Sequence, residues 1–228
     1  MNAMKTEFQL LSIQVGLPKT HMEADAISNK PWESGIFKAP VTGKIGLGAL
    51  NLAGDGQQDL RVHGGPFRAV LAYSAEHYPI WREELQMPNL PYGAFGENFT
   101  VSGLDENTVS IGDIFELGGV LIQVTQPRQP CWKLARRWGI KDLTARVYDK
   151  GWGGWYHRVL QEGYVEAGMT LRMVDRPYPE FTIERVNALM NEWMDEPEVL
   201  AVLAEMEPLS PGWRTHFAEK MKATTSLT

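Results

Sequence analysis

One cysteine in 228 residues is the scarcest feature of this chain, and it excludes an intramolecular disulfide as a source of stability. So thiol-poor a chain suits a reducing compartment, and the cytoplasm is the expected location. Long hydrophobic runs are missing as well: no apolar stretch could span a bilayer, and none comes after Met1 in the manner of a signal peptide. No GxGxxG or P-loop pattern occurs, which removes the common dinucleotide and triphosphate sites. No spacing of histidine, cysteine and carboxylate suggests a zinc or haem centre. Positive charge is short too, with 22 Lys and Arg against 28 Asp and Glu and a formal net charge of -6. The resulting pI near 5.4 argues against general nucleic-acid binding, although a local basic island can still hold a phosphate.

What is present is ordinary for a globular protein: 43% hydrophobic and 22% charged residues, on a length that suits one large domain or one domain with an appendage. The first two-thirds reads as short strands between glycine- and proline-rich turns. Phe8 to Val15 is strand-like, a polar loop with Pro18, Asn29 and Pro31 comes after it, and Ile36 to Val41 suggests a partner segment with Pro40 at an edge or strand end. Lys44 to Gly56, rich in glycine, reads as loop framework. The run FRAVLAY reads as a buried strand, and Ser74 as the cap of a helix through Gln86 with Tyr78, Trp81 and Leu85 on one face. Residues 109 to 126 form a hairpin around Gly118 and Gly119, and a last strand covers residues 168 to 174. This pattern points to a mainly β fold, a closed or nearly closed β-barrel with a few helices over residues 1–175.

At Arg176, Pro177 and Pro179 the character changes, and residues 176–228 read as a small C-terminal three-helix domain. Thr182 caps Ile183, Val186, Leu189 and Met190; Asp195 and Pro197 open Val199, Leu200 and Leu203; Ser210 and Pro211 open Trp213, Phe217 and Met221. Helices this short rarely hold alone. They must pack on each other, on the barrel or on a partner chain, which leaves a homodimer open. Glu184, Glu192, Glu198 and Glu205 deny them the basic face that a membrane role requires.

Three segments spend unusual residues. In VTQPRQPCWKLARRWG, Pro127 and Pro130 bracket a turn, and Cys131 falls at or just before a helix whose Trp132, Ala135 and Trp138 share a face. Arg128, Lys133, Arg136, Arg137 and Lys141 form a cationic island around it. A helix start and nearby guanidiniums favour the thiolate, which attacks electrophiles or binds soft metals; a small buried turn residue is the plainer alternative. His63 is followed by Gly64, Gly65 and Pro66, a turn that can expose N–H groups and, with Arg68, grip a phosphate. A merely solvated or strand-capping histidine is the plainer alternative. Gly93 and Gly96 frame a turn that presents Glu97 and Asn98: the asparagine suits a heterocycle edge, and the glutamate could take a proton or pair with Arg68 or Arg128. A hairpin corner would need the same residues.

Taken in order, GDGQQDLRVHGGPFRAV, GAFGENFTV, GDIFELG and QPRQPCWKL resemble the MOSC domain family, named for the C-terminal domain of molybdenum cofactor sulfurase. The resemblance spans Lys44 to Val174, and the three-helix tail is similar to the extension in the bacterial branch whose members reduce N-hydroxylated purines. It implies a β-rich barrel holding a mononuclear molybdenum cofactor on a pterin dithiolene (molybdopterin), with a protein cysteine, here Cys131, as a further sulfur ligand. By the same resemblance His63, Gly64, Gly65, Arg68, Glu97, Asn98, Arg128 and Lys133 belong to the cofactor-binding segments, with Cys131, His63 and Asn98 in catalytic roles. The implied activity removes oxygen from N-hydroxylated compounds such as 6-hydroxylaminopurine, a detoxification of base analogues. No second redox motif occurs in the chain, so an electron-donating reductase partner is expected. A sulfur carrier using a Cys131 persulfide and a noncatalytic cofactor-binding module are the rival readings, with a Cys131–His63 thiol hydrolase behind them.

Overall fold

The computed structural model describes residues 6–22, 27–28, 30–191 and 196–225. Five strands, β1 (Glu7–Val15), β2 (Lys19–His21), β3 (Trp32–Ser34), β4 (Ala39–Pro40) and β5 (Ile45–Leu47), precede a one-turn helix α1 (Leu60–His63) and a 3-10 turn at Pro66–Arg68. The middle of the chain supplies β6 (Val70–Ser74), α2 (His77–Glu84), β7 (Phe99–Ser102), β8 (Ile114–Leu117), β9 (Val120–Pro127), α3 (Trp132–Trp138) and α4 (Leu143–Asp149). Strands β10 (Trp155–Gln161), β11 (Gly163–Val165) and β12 (Thr170–Asp175) come next, and helices α5 (Ile183–Asn191), α6 (Pro197–Glu205) and α7 (Pro211–Thr225) end it.

Seven strands close a barrel in the order β12-β8-β9-β10-β6-β7-β1, with β1 returning to β12 through Phe8 opposite Leu171, and β4 attached outside β1. Closure gives every barrel strand two neighbours and so removes the exposed edges that an open sheet would carry. Among the described residues only β6 and β7 run parallel, because α2 carries the chain back across the barrel between them.

All five residues of β6 are buried, because both of its faces are covered. Val70 and Ala72 point into the barrel core with Phe99, Phe115, Ile122 and Trp155. Tyr73 points the other way, into a second cluster with Tyr78, Trp81, Phe95, Leu134 and Val147. Strand alternation therefore sorts one short segment into two cores, and the second core fastens α2, α3 and α4 to the barrel's outer wall. The buried His157 in β10 has its pKa pushed down to about 3 by desolvation, which keeps it neutral inside the barrel.

Local details depart from the sequence expectations in three places. The glycine-rich stretch from Lys44 contains β5, which pairs with β11 and buries Leu47 and Leu52; strand pairing supplies a partner that no local pattern announces. Ser74 ends β6 instead of capping α2: its hydroxyl donates to Glu76 Oε2 at 2.6 Å, and the helix begins at His77. On α3 the Trp132 ring is 55% exposed, while Lys133, Leu134, Ala135 and Arg136 take the buried side.

The tail helices share the barrel's hydrophobic cluster, into which they send Ile183, Val186, Leu189, Leu200, Leu203, Trp213 and Phe217. Backbone bonds stitch the entry to α5 onto the segment between β7 and β8: Ile111 N–H donates to Phe181 O at 2.9 Å and Ile183 N–H to Val109 O at 2.8 Å. Arg158 on β10 reaches Glu207 at 2.8 Å. Strand β12 ends at Asp175, and the three helices beyond it pack against the barrel through one continuous core. Thr182 Oγ1 accepts from Arg185 N–H at 3.2 Å, the capping bond its position predicts. Ser210 starts α7 through its carbonyl, while its hydroxyl makes no bond. The cap expected at Asp195, the glutamate at 192 and the loop residue Asn29 lie outside the described residues.

Candidate functional site

A cavity of about 210 Å³ opens beside the start of α3. Six of the predicted residues line it: Cys131, His63, Arg68, Asn98, Arg128 and Lys133. They arrive from five separate segments, and the barrel registers β6, β7, β9 and β10 so that their ends meet there.

Cys131 occupies the N-cap position of α3 with an extended backbone, φ −115° and ψ 160°, and its side chain is partly buried. Burial pushes the thiol pKa up. A hydrogen bond from His63, the Arg128 charge and the Lys133 backbone N–H outweigh that and bring it down to about 7. The thiolate is thus substantially populated at neutral pH, the form needed for nucleophilic or metal-ligand chemistry. Alkylation of Cys131 by iodoacetamide, followed by mass spectrometry, should rise with pH through a midpoint near 7. Removing the imidazole in His63→Ala should move that midpoint up by about 1 unit. A variant midpoint that stays at the wild-type value would remove His63 from the thiolate's environment.

The cations are held in place by the chain itself. Arg128, 7% exposed, donates from Nη2 to Phe95 O at 3.2 Å. Lys133, 9% exposed, donates to Gln58 Oε1 at 3.3 Å. Lys38, a wall residue that the sequence did not single out, is ion-paired to the buried Asp55. Its pKa is lowered, by burial first, with Asp55 opposing. Tyr156 on β10 also lines the cavity. Its phenol is raised by burial and lowered in turn by the neighbouring Arg128 and Arg68 guanidiniums, so it stays protonated at neutral pH. Gln126 and Trp213 are further wall residues that sequence reasoning missed. For Gln126 a signal existed, since it stands two residues before Arg128 on a strand and shares its side. For Trp213 there was none, because its position depends on how α7 docks.

Four expected site residues do other work. Glu97 is fully buried and does not line the cavity. Its carboxylate accepts from the Tyr78 hydroxyl, from Gly93 N–H at 2.7 Å, from Phe95 N–H at 3.1 Å and from Thr100 Oγ1 at 3.0 Å. It clamps the turn in which Gly93 and Gly96 take φ of 84° and 85°, and neither Arg68 nor Arg128 is its partner. Asn98 does face the cavity, yet its amide is engaged within the protein: Oδ1 accepts from Leu71 N–H at 3.1 Å, and Nδ2 donates to Gln14 O at 3.2 Å and Asp55 Oδ2 at 2.9 Å. It fills the backbone bond left open where the parallel β6–β7 ladder starts, which leaves its donors no capacity for a heterocycle edge. Gly64 and Gly65 form the turn beside the cavity without lining it. Gly65, at φ 97°, gives its carbonyl to Arg68 N–H at 2.9 Å.

The donor set suits a particular kind of ligand. Among the described residues no group of three or more His, Cys, Asp or Glu side chains converges on a metal position, so a metal here must bring most of its own ligands. One soft thiolate can complete such a metal's coordination. The surrounding guanidinium and ammonium groups fit a phosphate, and two buried polar atoms in the wall, Gln126 Oε1 and Arg128 Nη1, are without partners.

The comparisons with known proteins agree with this architecture. The profile of the MOSC domain matches residues 59–172. The YflK protein of Bacillus subtilis (strain 168) is 42% identical over 220 residues, covering 95% of this chain and 96% of its own. A protein of Gibberella moniliformis named a reductase is 37% identical over 160 residues, 69% of this chain but 28% of that longer one. Among solved structures, YiiM from Geobacillus stearothermophilus superposes with a TM-score of 0.77 at 34% identity, covering 94% of this chain and 99% of that one.

Proposed function

The chain belongs to the MOSC domain family, and from that premise we propose that it is a molybdenum cofactor-dependent reductase of N-hydroxylated compounds such as 6-hydroxylaminopurine. The observation that carries this reading is the Cys131 thiol, poised near pKa 7 on a cavity walled by Arg68, Arg128 and Lys133. Cys131 would bind the molybdenum through its thiolate, and Arg68 and Lys133 would hold the pterin phosphate by charge-assisted bonds. When bound, the cofactor supplies two-electron oxygen-atom chemistry that no side chain of this protein can perform.

The reaction balances as R–NHOH plus two electrons and two protons giving R–NH2 and water. His63 keeps Cys131 deprotonated and oriented through its hydrogen bond. Tyr156, protonated and facing the same cavity, is placed to give up a proton as the N–O bond breaks. The electrons would come from a separate reductase. A family relative named a reductase supports the class of chemistry.

The deciding experiment is to express the protein in cells competent for cofactor synthesis, measure its metal, and assay 6-hydroxylaminopurine reduction with an artificial electron donor. About one molybdenum per chain together with formation of the amine is the expected result. Metal-loaded protein that leaves both hydroxylaminopurine and simple hydroxamates untouched would overturn the reading.

A further inference from the structure

We propose that Gln126 and Arg128 form a donor–acceptor reader for a planar heterocycle, taking a ring edge on which a hydrogen-bond donor stands next to an acceptor. The inference deepens the cofactor-and-purine reading of the cavity but does not depend on redox turnover. Gln126 is 3% exposed and Arg128 7% exposed, and both line the cavity. Their backbones are fixed by β10: Gln126 pairs with Tyr156, and Arg128 N–H donates to Gly154 O at 2.9 Å. Two positions apart in extended chain, the side chains project to the same side.

Each presents one unused polar atom. Gln126 Oε1 meets no donor and Arg128 Nη1 makes no hydrogen bond, while Arg128 Nη2 is tied to Phe95 O at 3.2 Å and the guanidinium lies beside the Tyr156 phenol. That tie fixes the guanidinium and leaves its second nitrogen for something else. Buried polar atoms are nearly always paired in a folded protein, because desolvating them unpaired is costly. Two such atoms on residues of one cavity wall specify the missing partners: an acceptor for Nη1 and a donor for Oε1. A phosphate satisfies only the first, since its oxygens would face the Gln126 oxygen without a proton between them. A lactam or amidine edge, as found in pterins and in amino- or hydroxylaminopurines, satisfies both. Ile36, Leu71 and Trp213 add apolar contact suited to a flat ring.

The test titrates the full-length, cofactor-free protein by calorimetry with pterin, 6-hydroxylaminopurine and inorganic phosphate in turn. Gln126→Leu should weaken at least one heterocycle about tenfold and leave phosphate affinity unchanged. A loss confined to pterin assigns the edge to the cofactor, and one confined to the purine assigns it to the substrate. Because the substitution removes an unpaired buried oxygen, the ligand-free variant should melt no lower than wild type, and its melting-temperature rise on adding the heterocycle should shrink. If leucine proves too bulky, Gln126→Met fills the space without an acceptor and must show the same losses. Unchanged affinity for both heterocycles, no heterocycle binding by the wild type, or an equal fall in phosphate affinity overturns the proposal. A metal-loaded protein that binds the purine through Gln126 yet does not reduce it would instead sink the reductase reading and leave the edge reader standing.

Discussion

Cys131→Ser should lower reduction of N-hydroxylated substrates by about 100-fold or more, with molybdenum content falling alongside it. Serine matches the thiol in size but offers a hard oxygen that stays protonated at neutral pH, so it is a poor ligand for a soft, sulfur-bound metal. The fold should survive the change. Cys131 is only partly buried, and its structural bonds are made by its carbonyl, which accepts from Leu134 N–H at 3.0 Å and Thr144 Oγ1 at 3.2 Å. Circular dichroism and melting temperature should therefore match wild type while activity collapses. A serine variant with full metal and full turnover would rule out the ligand role. Wild-type protein carrying a reductant-labile mass increase of one sulfur atom on Cys131, without turnover, would favour the sulfur-carrier alternative.

The second large effect lies outside the cavity. Glu97→Ala should destabilise the protein by about 3–5 kcal/mol, which for a chain of this size is a fall in melting temperature of roughly 10 °C. The carboxylate gathers four donors in a fully buried corner. Alanine would leave all four without the carboxylate they share. Damage should also spread to the site, because the turn that Glu97 clamps provides the carbonyls that hold two guanidiniums: Phe95 O accepts from Arg128, and Gly93 O from Arg137 at 2.6 Å. Cofactor retention should thus decline in step with stability, whereas Cys131→Ser separates the two. Glu97→Gln, which keeps the shape and one acceptor oxygen, should fall between. Thermal unfolding followed at two wavelengths checks the series, and a loss below about 2 °C in the alanine variant would show that the glycine turn holds without its clamp.

Glu97 and Asn98 mark where the sequence could be read and where it could not. The GAFGENFTV motif located the turn and the strand behind it, and the structure puts β7 at Phe99–Ser102. What the two polar residues bind depended on distant neighbours: Asn98 reaches Gln14, 84 positions away, and Asp55, 43 away. Residue type alone made them equally good pocket groups. The reverse happened at Lys38 and Tyr156, which looked unremarkable in their segments and became wall residues once β10 and the segment before β4 were in place. Side-chain direction at the helix start misled in a similar way. Trp132, Ala135 and Trp138 share a face by spacing, yet only Ala135 and Trp138 pack inward, while Lys133 and Arg136 take buried positions and Trp132 is left outside.

By itself the sequence determined the barrel, the hairpin that delivers the chain to its lone cysteine, the cationic setting of that thiol and the three closing helices. All of these arise from signals written along a few consecutive residues: alternation in strands, glycine and proline at turns, apolar spacing in helices. The tertiary structure alone decided which polar groups point into the cavity with bonding capacity to spare and which are consumed in holding the walls. It also decided that α7 contributes Trp213 to the site. A buried hydrogen-bonding group takes whichever partner the folded chain brings within about 3 Å, and that partner is set by how strands and helices pack across the whole molecule, not by the residues on either side.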